Sequence, residues 1–316
     1  MYDRRPECAP GPRLRGRRSH RSISDGGGLM LDQAEALRTL VRDKIIFSET
    51  RTRRPRVYTV AVTSGKGGVG KTSIAVNLAI FLSKAGRRVR LVDADFGLSN
   101  AEVLLDITPR HTLDDVVKGH VSIYDAWTDG PAGVRLLSSG SGVEAMANID
   151  GPTGIGVMDT ILSSASNGEI VIIDTAPGID ESVVSLLSVA DEVVLVTTPE
   201  PTSITDTYAA IKVLTSYVPE TDITLVANCC NSPAQAGAVA RGLETICNRF
   251  LGRGFQRYEY IPYDASVTKA IQAQHPMAIH CSHCAAASWL RRLAIKLAER
   301  VRKRECNLDE VDLVEA

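Results

Sequence analysis

Short runs of Val, Ile and Leu alternate with longer amphipathic segments from residue 57 to about residue 303. The runs are continuously apolar, which is typical of strands buried on both faces of a parallel sheet. Helical spacing lies between many of them, as in Thr72–Ala85 and Ser203–Thr215. This order predicts an α/β fold, a doubly wound and mostly parallel sheet with helices on both faces. The predicted strands are Val57–Thr63, Val89–Asp93, Val134–Ser138, Ile170–Asp174, Val193–Thr198, Ile223–Asn228 and Arg257–Ile261.

The chain before this domain follows other patterns. Residues 1–29 are rich in Arg, Pro, Gly and Ser without periodicity, which predicts a disordered tail; Met30 would also make a sensible start of translation. Residues 30–48 have apolar positions at helical spacing and predict an amphipathic helix, either folded back on its own domain or offered to a partner. Residues 49–56 then form a charged linker, residues 57–303 the main domain and residues 304–316 an acidic C-terminal tail.

Composition narrows the class of protein. With 316 residues and 44% hydrophobic content, the chain can bury a full core. A formal net charge of −1 gives no global field that would favour nucleic acid as the main partner. Seven cysteines in a chain of this size are typical of reduced cytosolic thiols. Without a signal-peptide pattern or a run of about 20 apolar residues, we expect a cytoplasmic protein, with peripheral attachment at the inner face of the cell membrane left open.

The first predicted strand leads directly into a phosphate-binding motif of the form G-x-x-x-x-G-K-[ST], and a helix follows. Glycines let backbone N–H groups turn around a phosphate chain, and the N-terminus of the helix adds positive charge. We expect Lys71 to reach the β- and γ-phosphates of ATP and the Thr72 hydroxyl to bind Mg²⁺. The residues predicted to bind ATP here are Gly65, Lys66, Gly67, Gly68, Val69, Gly70, Lys71, Thr72 and Ser73.

Two other predicted strands end in carboxylates. Asp93 and Asp95 stand at the end of one strand, and Asp174 closes another. Open α/β sheets bind ligands at the carboxyl ends of their strands, and a carboxylate is a poor core residue. These side chains therefore indicate a site for Mg²⁺ and water.

Lys66, beside the first glycine, marks the deviant form of the Walker A motif, and with this motif residues 57–303 resemble the MinD/ParA ATPases. The resemblance implies an ATP-held homodimer in which Lys66 reaches the partner's nucleotide. It implies that Asp174 is the Walker B carboxylate, that Asp93 lies beside Mg²⁺, and that Asp95 orients the attacking water. Thr72, Asp93 and Asp174 are then the expected metal residues, and Lys66, Lys71 and Asp95 the catalytic ones.

The same resemblance extends to two later segments. Asn228 ends a strand where relatives use an Asn against adenine, and Pro262 lies in the Ile261–Asp264 string, which matches the loop whose backbone meets the base. Thr175–Gly178 resembles a switch that senses the γ-phosphate.

Two strings are similar to the FlhG family, which includes FleN and YlxH. Thr197–Asp206 resembles its loop after the fourth core strand, and a second string resembles its DQAxxLR motif. The resemblance implies that this motif engages an FlhF-type GTPase and stimulates it. It also implies a role in flagellar number and placement, with flagellar basal-body (C-ring) components and a membrane surface as further partners. The motif residues are Asp32, Gln33, Ala34, Leu37 and Arg38.

Several alternatives stay open at this point. The chain could be a cell-division ATPase of the MinD type, a DNA-partition ATPase of the ParA type, or an adaptor that never hydrolyses ATP. Cys281 and Cys284 would suit an Mrp-like iron–sulfur carrier or a zinc site. However, the pair follows the Ile261–Asp264 loop, whereas the Mrp-like scaffolds place it before that loop. Thiols in a loop, without metal, are therefore the preferred interpretation. A C-terminal stripe predicts either an interfacial helix or the last packed helix: Trp289, Leu290, Leu293, Leu297 and Val301.

Overall fold

The computed structural model describes residues 55–95, 100–140 and 151–315, without the side chains of 151–153, 181 and 308–315. The predicted tail 1–29, the predicted helix 30–48 with its Asp32–Arg38 motif, and most of the linker 49–56 lie outside the described residues.

Eight strands form one sheet in the order β3-β4-β2-β5-β1-β6-β7-β8. Every neighbouring pair is parallel except β3 and β4, which are antiparallel. The strands are β1 (Tyr58–Thr63), β2 (Val89–Ala94), β3 (Thr128–Asp129), β4 (Arg135–Leu137), β5 (Ile170–Thr175), β6 (Glu192–Thr197), β7 (Asp222–Cys230) and β8 (Arg257–Pro262).

The helices between the strands complete the doubly wound pattern. They are α1 (Lys71–Lys84), α2 (Asn100–Leu105), α3 (Leu113–Val117), α4 (Gly151–Ser163), α5 (Glu181–Leu187), α6 (Pro201–Tyr217), α7 (Pro233–Phe250), α8 (Ala265–Gln272), α9 (Met277–His280) and α10 (Ala285–Glu315). Helices α4 to α7 supply one core layer, and α1 and α10 supply the other. The predicted fold class is therefore confirmed.

All seven predicted strands are present, with ends that shift by one or two residues. The sequence analysis missed β3, because two residues, Thr128 and Asp129, are too short to show a pattern. Strand β1 lies between β5 and β6, so the chain leaves β1 at the point where the strand order reverses. Ligands of open α/β sheets bind at such a point.

Helix α1 is buried along most of its length because it lies between the sheet and α10. Its residues from Ile74 to Leu82 are all buried, which is expected of a helix that is apolar on every side. This packing fixes the position of the N-terminus of α1, where Lys71 lies.

Helix α10 resolves the ambiguity of the C-terminal stripe. Leu290, Leu293, Leu297 and Val301 are at most 1% exposed and belong to the core layer that contains α1. The stripe is the apolar face of a packed helix, so it does not face outward as an interfacial helix would. Among the described residues, no helix combines the length and apolar character that crossing a bilayer requires.

The same helix runs past the boundary that we predicted between residues 303 and 304. Arg304 Nη1 lies 2.7 Å from Asp191 Oδ1, and Glu305 pairs with Arg87. These ion pairs hold the helix against the domain beyond residue 303. The first residues of the predicted acidic tail are therefore helical and packed.

Candidate functional site

The predicted phosphate loop connects β1 to α1 at the carboxyl edge of the sheet. Gly68 and Gly70 have φ angles of 78° and 93°, which lie in the left-handed region that glycine adopts without strain. A Cβ at Gly70 would approach the Asn228 side-chain nitrogen to 2.6 Å. A glycine is thus required at Gly70 both by conformation and by space.

Lys71 begins α1 and is only 7% exposed. Its Nζ lies 3.0 Å from Asp174 Oδ1 and 3.9 Å from Asp95 Oδ2. The sheet brings these groups together because Asp174 closes β5, the strand beside β1. A lysine held at this point can place its charge on a phosphate bound by the loop.

Asp174 is fully buried at the end of β5. Burial raises the pKa of its carboxyl group, while Lys71 and Thr72, which both contact it, oppose that shift. Its Oδ2 atom has no hydrogen-bond partner among the described residues. A buried, unpaired carboxylate oxygen beside a threonine hydroxyl fits the ligand set of Mg²⁺.

Asp93 lies on β2 in register with Asp174 on β5. Its two oxygens accept hydrogen bonds from the backbone N–H groups of Asp95 at 3.2 Å and Ala101 at 3.0 Å. Burial, and then the charge of Asp174, raise the pKa of Asp93 to about 7. The structure therefore shows that Asp93 holds the backbone of Asp95 and the start of α2, and a direct bond from Asp93 to Mg²⁺ stays a prediction.

The predicted switch lies against the phosphate loop. The Thr175 hydroxyl contacts the Thr63 hydroxyl at 3.0 Å, and the Gly178 N–H donates to the Ser64 carbonyl at 2.9 Å. A Cβ on Gly67 would lie 3.8 Å from Pro177. A ligand that moved the loop would therefore also move the segment after β5.

Lys66 has partners that the sequence analysis missed. Its Nζ donates to Glu200 Oε2 at 2.7 Å and to the Thr202 hydroxyl at 2.9 Å, at the start of α6. Gly65 permits this approach, because a Cβ there would lie 2.3 Å from the Asp206 carbonyl oxygen. The Thr197–Asp206 string pointed to the right segment, but nothing in the sequence paired it with Lys66.

The residues predicted for the base lie on the two strands at the sheet edge. The Asn228 side chain donates to the Val69 carbonyl at 2.8 Å, which ties β7 to the phosphate loop. Pro262 ends β8 opposite Cys230. Ser73, in the first turn of α1, is half-buried, and its carbonyl accepts a hydrogen bond from Asn77.

Comparison with known proteins gives the same class of protein as the sequence motifs, a P-loop NTPase. A family model described as ParA, NUBPL iron-transfer P-loop NTPase, matches residues 57–298. The antiactivator FleN of Pseudomonas aeruginosa is 44% identical over 218 residues, which cover 69% of this chain and 78% of FleN. The chain belongs to the MinD/ParA family of P-loop ATPases, in its FlhG/FleN branch.

Other similarities agree with this family. The flagellum site-determining protein YlxH of Helicobacter pylori is 34% identical, over 57% of this chain and 60% of YlxH. The cell division ATPase MinD of Pyrococcus furiosus superimposes with a TM-score of 0.65 at 24% identity, over 77% of this chain and 98% of that one. The MinD structure supports the fold.

As a member of the MinD/ParA family, the chain is an ATPase that uses ATP and Mg²⁺. The site fits both: the glycine loop leaves room for a phosphate chain, Lys71 supplies charge, and Asp174 Oδ2 is free to bind a cation. ATP supplies the phosphoanhydride bond, and the chain supplies the groups that hold and orient it.

The Mrp-like alternative finds no support in the geometry. Among the described residues, no group of three or more His, Cys, Asp or Glu side chains is arranged to hold a metal ion. Cys281 and Cys284 lie between α9 and α10, after β8. That Cys281 and Cys284 are loop thiols without metal stays a prediction.

Proposed function

We propose that this MinD/ParA-type ATPase regulates the number and placement of flagella, and that ATP drives its assembly into a homodimer. The main support for a role in flagellar number and placement is the 44% identity to FleN over 218 residues. The similarity to YlxH, a flagellum site-determining protein, supports the same assignment. The protein then acts in the cytoplasm or at the inner face of the cell membrane, with basal-body components among its partners.

The proposal of an ATP-driven homodimer rests on Lys66. Its side chain is 36% exposed at the nucleotide edge of the sheet, where a second copy can approach. There its charge would add to that of Lys71 as negative charge develops on the transferred phosphate. Asp95 would orient water, Thr72 and Asp174 would bind Mg²⁺, and Asn228 and Pro262 would border the adenine.

Light scattering of the Asp95→Ala variant tests this arrangement. The variant should bind MgATP normally, hydrolyse it at least about 100-fold more slowly, and accumulate as a dimer, because hydrolysis no longer releases the subunits. The same variant with MgADP is the control and should be monomeric. A monomer under saturating MgATP would contradict the roles given to Asp95 and Lys66.

The proposed GTPase partner concerns the N-terminal motif Asp32–Arg38, which lies outside the described residues. We propose that Asp32, Gln33, Ala34, Leu37 and Arg38 engage an FlhF-type GTPase and stimulate it, because these residues match the DQAxxLR motif. GTP hydrolysis by purified FlhF from the same organism is measured with a peptide of residues 31–46 and with an Arg38→Ala control. Stimulation by the first peptide alone supports the proposal. If neither peptide nor full-length protein stimulates, this partner is wrong, and the ATPase acts on another client.

A further inference from the structure

Cys281 and Cys284 are the two ends of a tight turn. The Cys284 N–H donates to the Cys281 carbonyl at 2.9 Å, which closes a turn of four residues between α9 and α10. The ends of such a turn have Cα atoms within about 7 Å, the range over which a disulfide can form. Both side chains are half-buried and reachable from solvent, whereas Cys230 and Cys247 are buried.

The two cysteine side chains lie close enough together at this turn for one to affect the titration of the other. Burial, with contributions from Cys284 and Asp264, raises the pKa of Cys281 to about 11, so this thiol stays protonated at neutral pH. Cys284 stands immediately before the first turn of α10.

The cysteine pair is bonded to the loop that follows β8. Cys281 Sγ lies 3.8 Å from the Ser266 carbonyl oxygen, and the Cys284 side chain lies near the Asp264 carboxylate, whose pKa it helps to lower. Although burial opposes it, hydrogen bonds from Ser266, Ala286 and Cys284 lower the pKa of Asp264. Asp264 accepts from Ser266 at 2.9 Å and Ala286 at 3.4 Å, so it caps α8 and α10 together.

A short path joins this cap to the phosphate loop. Tyr263, the residue before Asp264, donates its N–H to the Cys230 carbonyl at 3.0 Å. Cys230 lies two residues beyond Asn228 on β7, and Asn228 holds the Val69 carbonyl. A displacement of Asp264 therefore acts on both segments predicted to border the adenine.

We propose that Cys281 and Cys284 form a reversible disulfide by exchange with a low-molecular-weight disulfide such as oxidised glutathione, and that the disulfide weakens ATP binding. Cys284 loses its proton to solvent, and its thiolate attacks one sulfur of glutathione disulfide and releases one glutathione thiolate. Cys281 then loses its proton and attacks the mixed disulfide at Cys284, releasing the second glutathione. The protein loses two protons and two electrons, and one glutathione disulfide is reduced to two glutathione molecules.

The disulfide changes the cap in two ways. It removes the S–H donors of both cysteines, including the one that Cys281 directs at the Ser266 carbonyl, and it holds the two sulfur atoms about 2.05 Å apart. Since α10 is fixed in the core, the adjustment falls on the loop at Tyr263 and Asp264, which lies against both cysteines. The link to ATP affinity rests on the proposed position of the adenine, whereas formation of the disulfide does not.

The test uses the full chain equilibrated in oxidising or reducing glutathione buffer. Trypsin releases residues 270–291 as one peptide containing both cysteines, so their disulfide appears as the loss of two hydrogen atoms from that peptide. Affinity for a fluorescent ATP analogue is measured on the same samples. We expect the disulfide, an affinity about tenfold lower in the oxidised protein, and full recovery with dithiothreitol.

Two variants make the test selective. Cys281→Ser keeps a hydroxyl near the Ser266 carbonyl and should be insensitive to oxidation, while Cys306→Ser, on an exposed part of α10, should respond like the wild type. Absence of the disulfide, or an equal response of Cys281→Ser, would overturn the proposal. A disulfide with unchanged affinity would overturn the link to ATP. Failure of the reduced protein to bind the analogue would instead refute nucleotide binding and leave the peptide result standing.

Discussion

Lys66 Nζ lies 2.7 Å from Glu200 Oε2, so the lysine that marks this ATPase class is paired within its own chain. Thr202 supplies a second acceptor at 2.9 Å. In the proposed dimer, Lys66 must leave both partners before it can reach the nucleotide of another copy. The pair therefore competes with assembly.

Replacing Glu200 should favour the dimer. Both side chains of the pair are at least 36% exposed, and an exposed pair contributes at most about 1 kcal/mol. Because a dimer breaks two such pairs, Glu200→Gln should lower the protein concentration at half-dimerisation by no more than about 30-fold. Sedimentation velocity with a slowly hydrolysed ATP analogue measures this. Glu220→Gln, an exposed acid near the opposite edge of the sheet, is the control and should change nothing. Weaker dimerisation of Glu200→Gln would show that Glu200 assists assembly.

Lys71→Ala should abolish nucleotide binding and also destabilise the nucleotide-free protein. Asp174 is fully buried and would lose its cation, which costs about 3 kcal/mol for a buried pair. Adding Asp174→Asn should restore stability without restoring binding. Urea unfolding and titration with a fluorescent nucleotide separate the two effects. Loss of stability in the double variant as large as in Lys71→Ala would show that the buried charge is not the cause.

Asp93→Asn should change the pH dependence of stability. The pKa of Asp93 is raised to about 7 in the folded chain, above its unfolded value near 3.9, so the folded state binds its proton more tightly. Stability should therefore fall as pH rises between about 4 and 7 and level off above that. Asn has no such titration, so the stability of the variant relative to the wild type should improve from about pH 5 to pH 8.

Asp115→Asn is the comparison variant, because the pKa of Asp115 is shifted in the opposite direction, below its usual value. The backbone N–H of Thr112 is the largest of the contributions that lower the pKa of Asp115. The ionised Asp115 carboxylate stabilises the folded protein at every pH above the pKa of an unfolded Asp, and this stabilisation is lost only below it. The stability of Asp115→Asn relative to the wild type should therefore show no trend from about pH 5 to pH 8. Urea unfolding across that range checks both variants. Identical slopes for Asp93→Asn and the wild type would contradict the assignment.

Arg300→Ala should loosen the C-terminal helix from the sheet. Arg300 donates to both oxygens of Glu192 at 2.9 and 2.7 Å, and Glu192 is fully buried. Removing one member of a buried pair costs about 3–5 kcal/mol, because the remaining charge is uncompensated. Arg302→Ala, exposed on the same helix, should cost less than about 0.5 kcal/mol in urea unfolding. Equal losses would refute this role of the pair.

The sequence predicted the features that depend on local pattern and strand order. Continuous apolar runs located seven strands, and the rule that ligands bind at the carboxyl ends of parallel strands predicted that Asp174 belongs to a site for Mg²⁺ and water. The partners of Lys66 were not predictable, because Glu200 is 134 residues away and the contact depends on how α6 packs against Gly65. The stripe on α10 was ambiguous because a helix facing lipid and a helix facing a core share one periodicity.

The described chain enters the sheet at Pro55, next to the amino end of β1, whereas the phosphate loop leaves from the carboxyl end. A strand of six residues separates the two points by about 20 Å. The segment that carries the N-terminal motif thus joins the described domain at the end of β1 remote from the phosphate loop. In the proposed function, the chain segment that engages the GTPase and the surface that meets a second copy are therefore connected to opposite ends of the same strand.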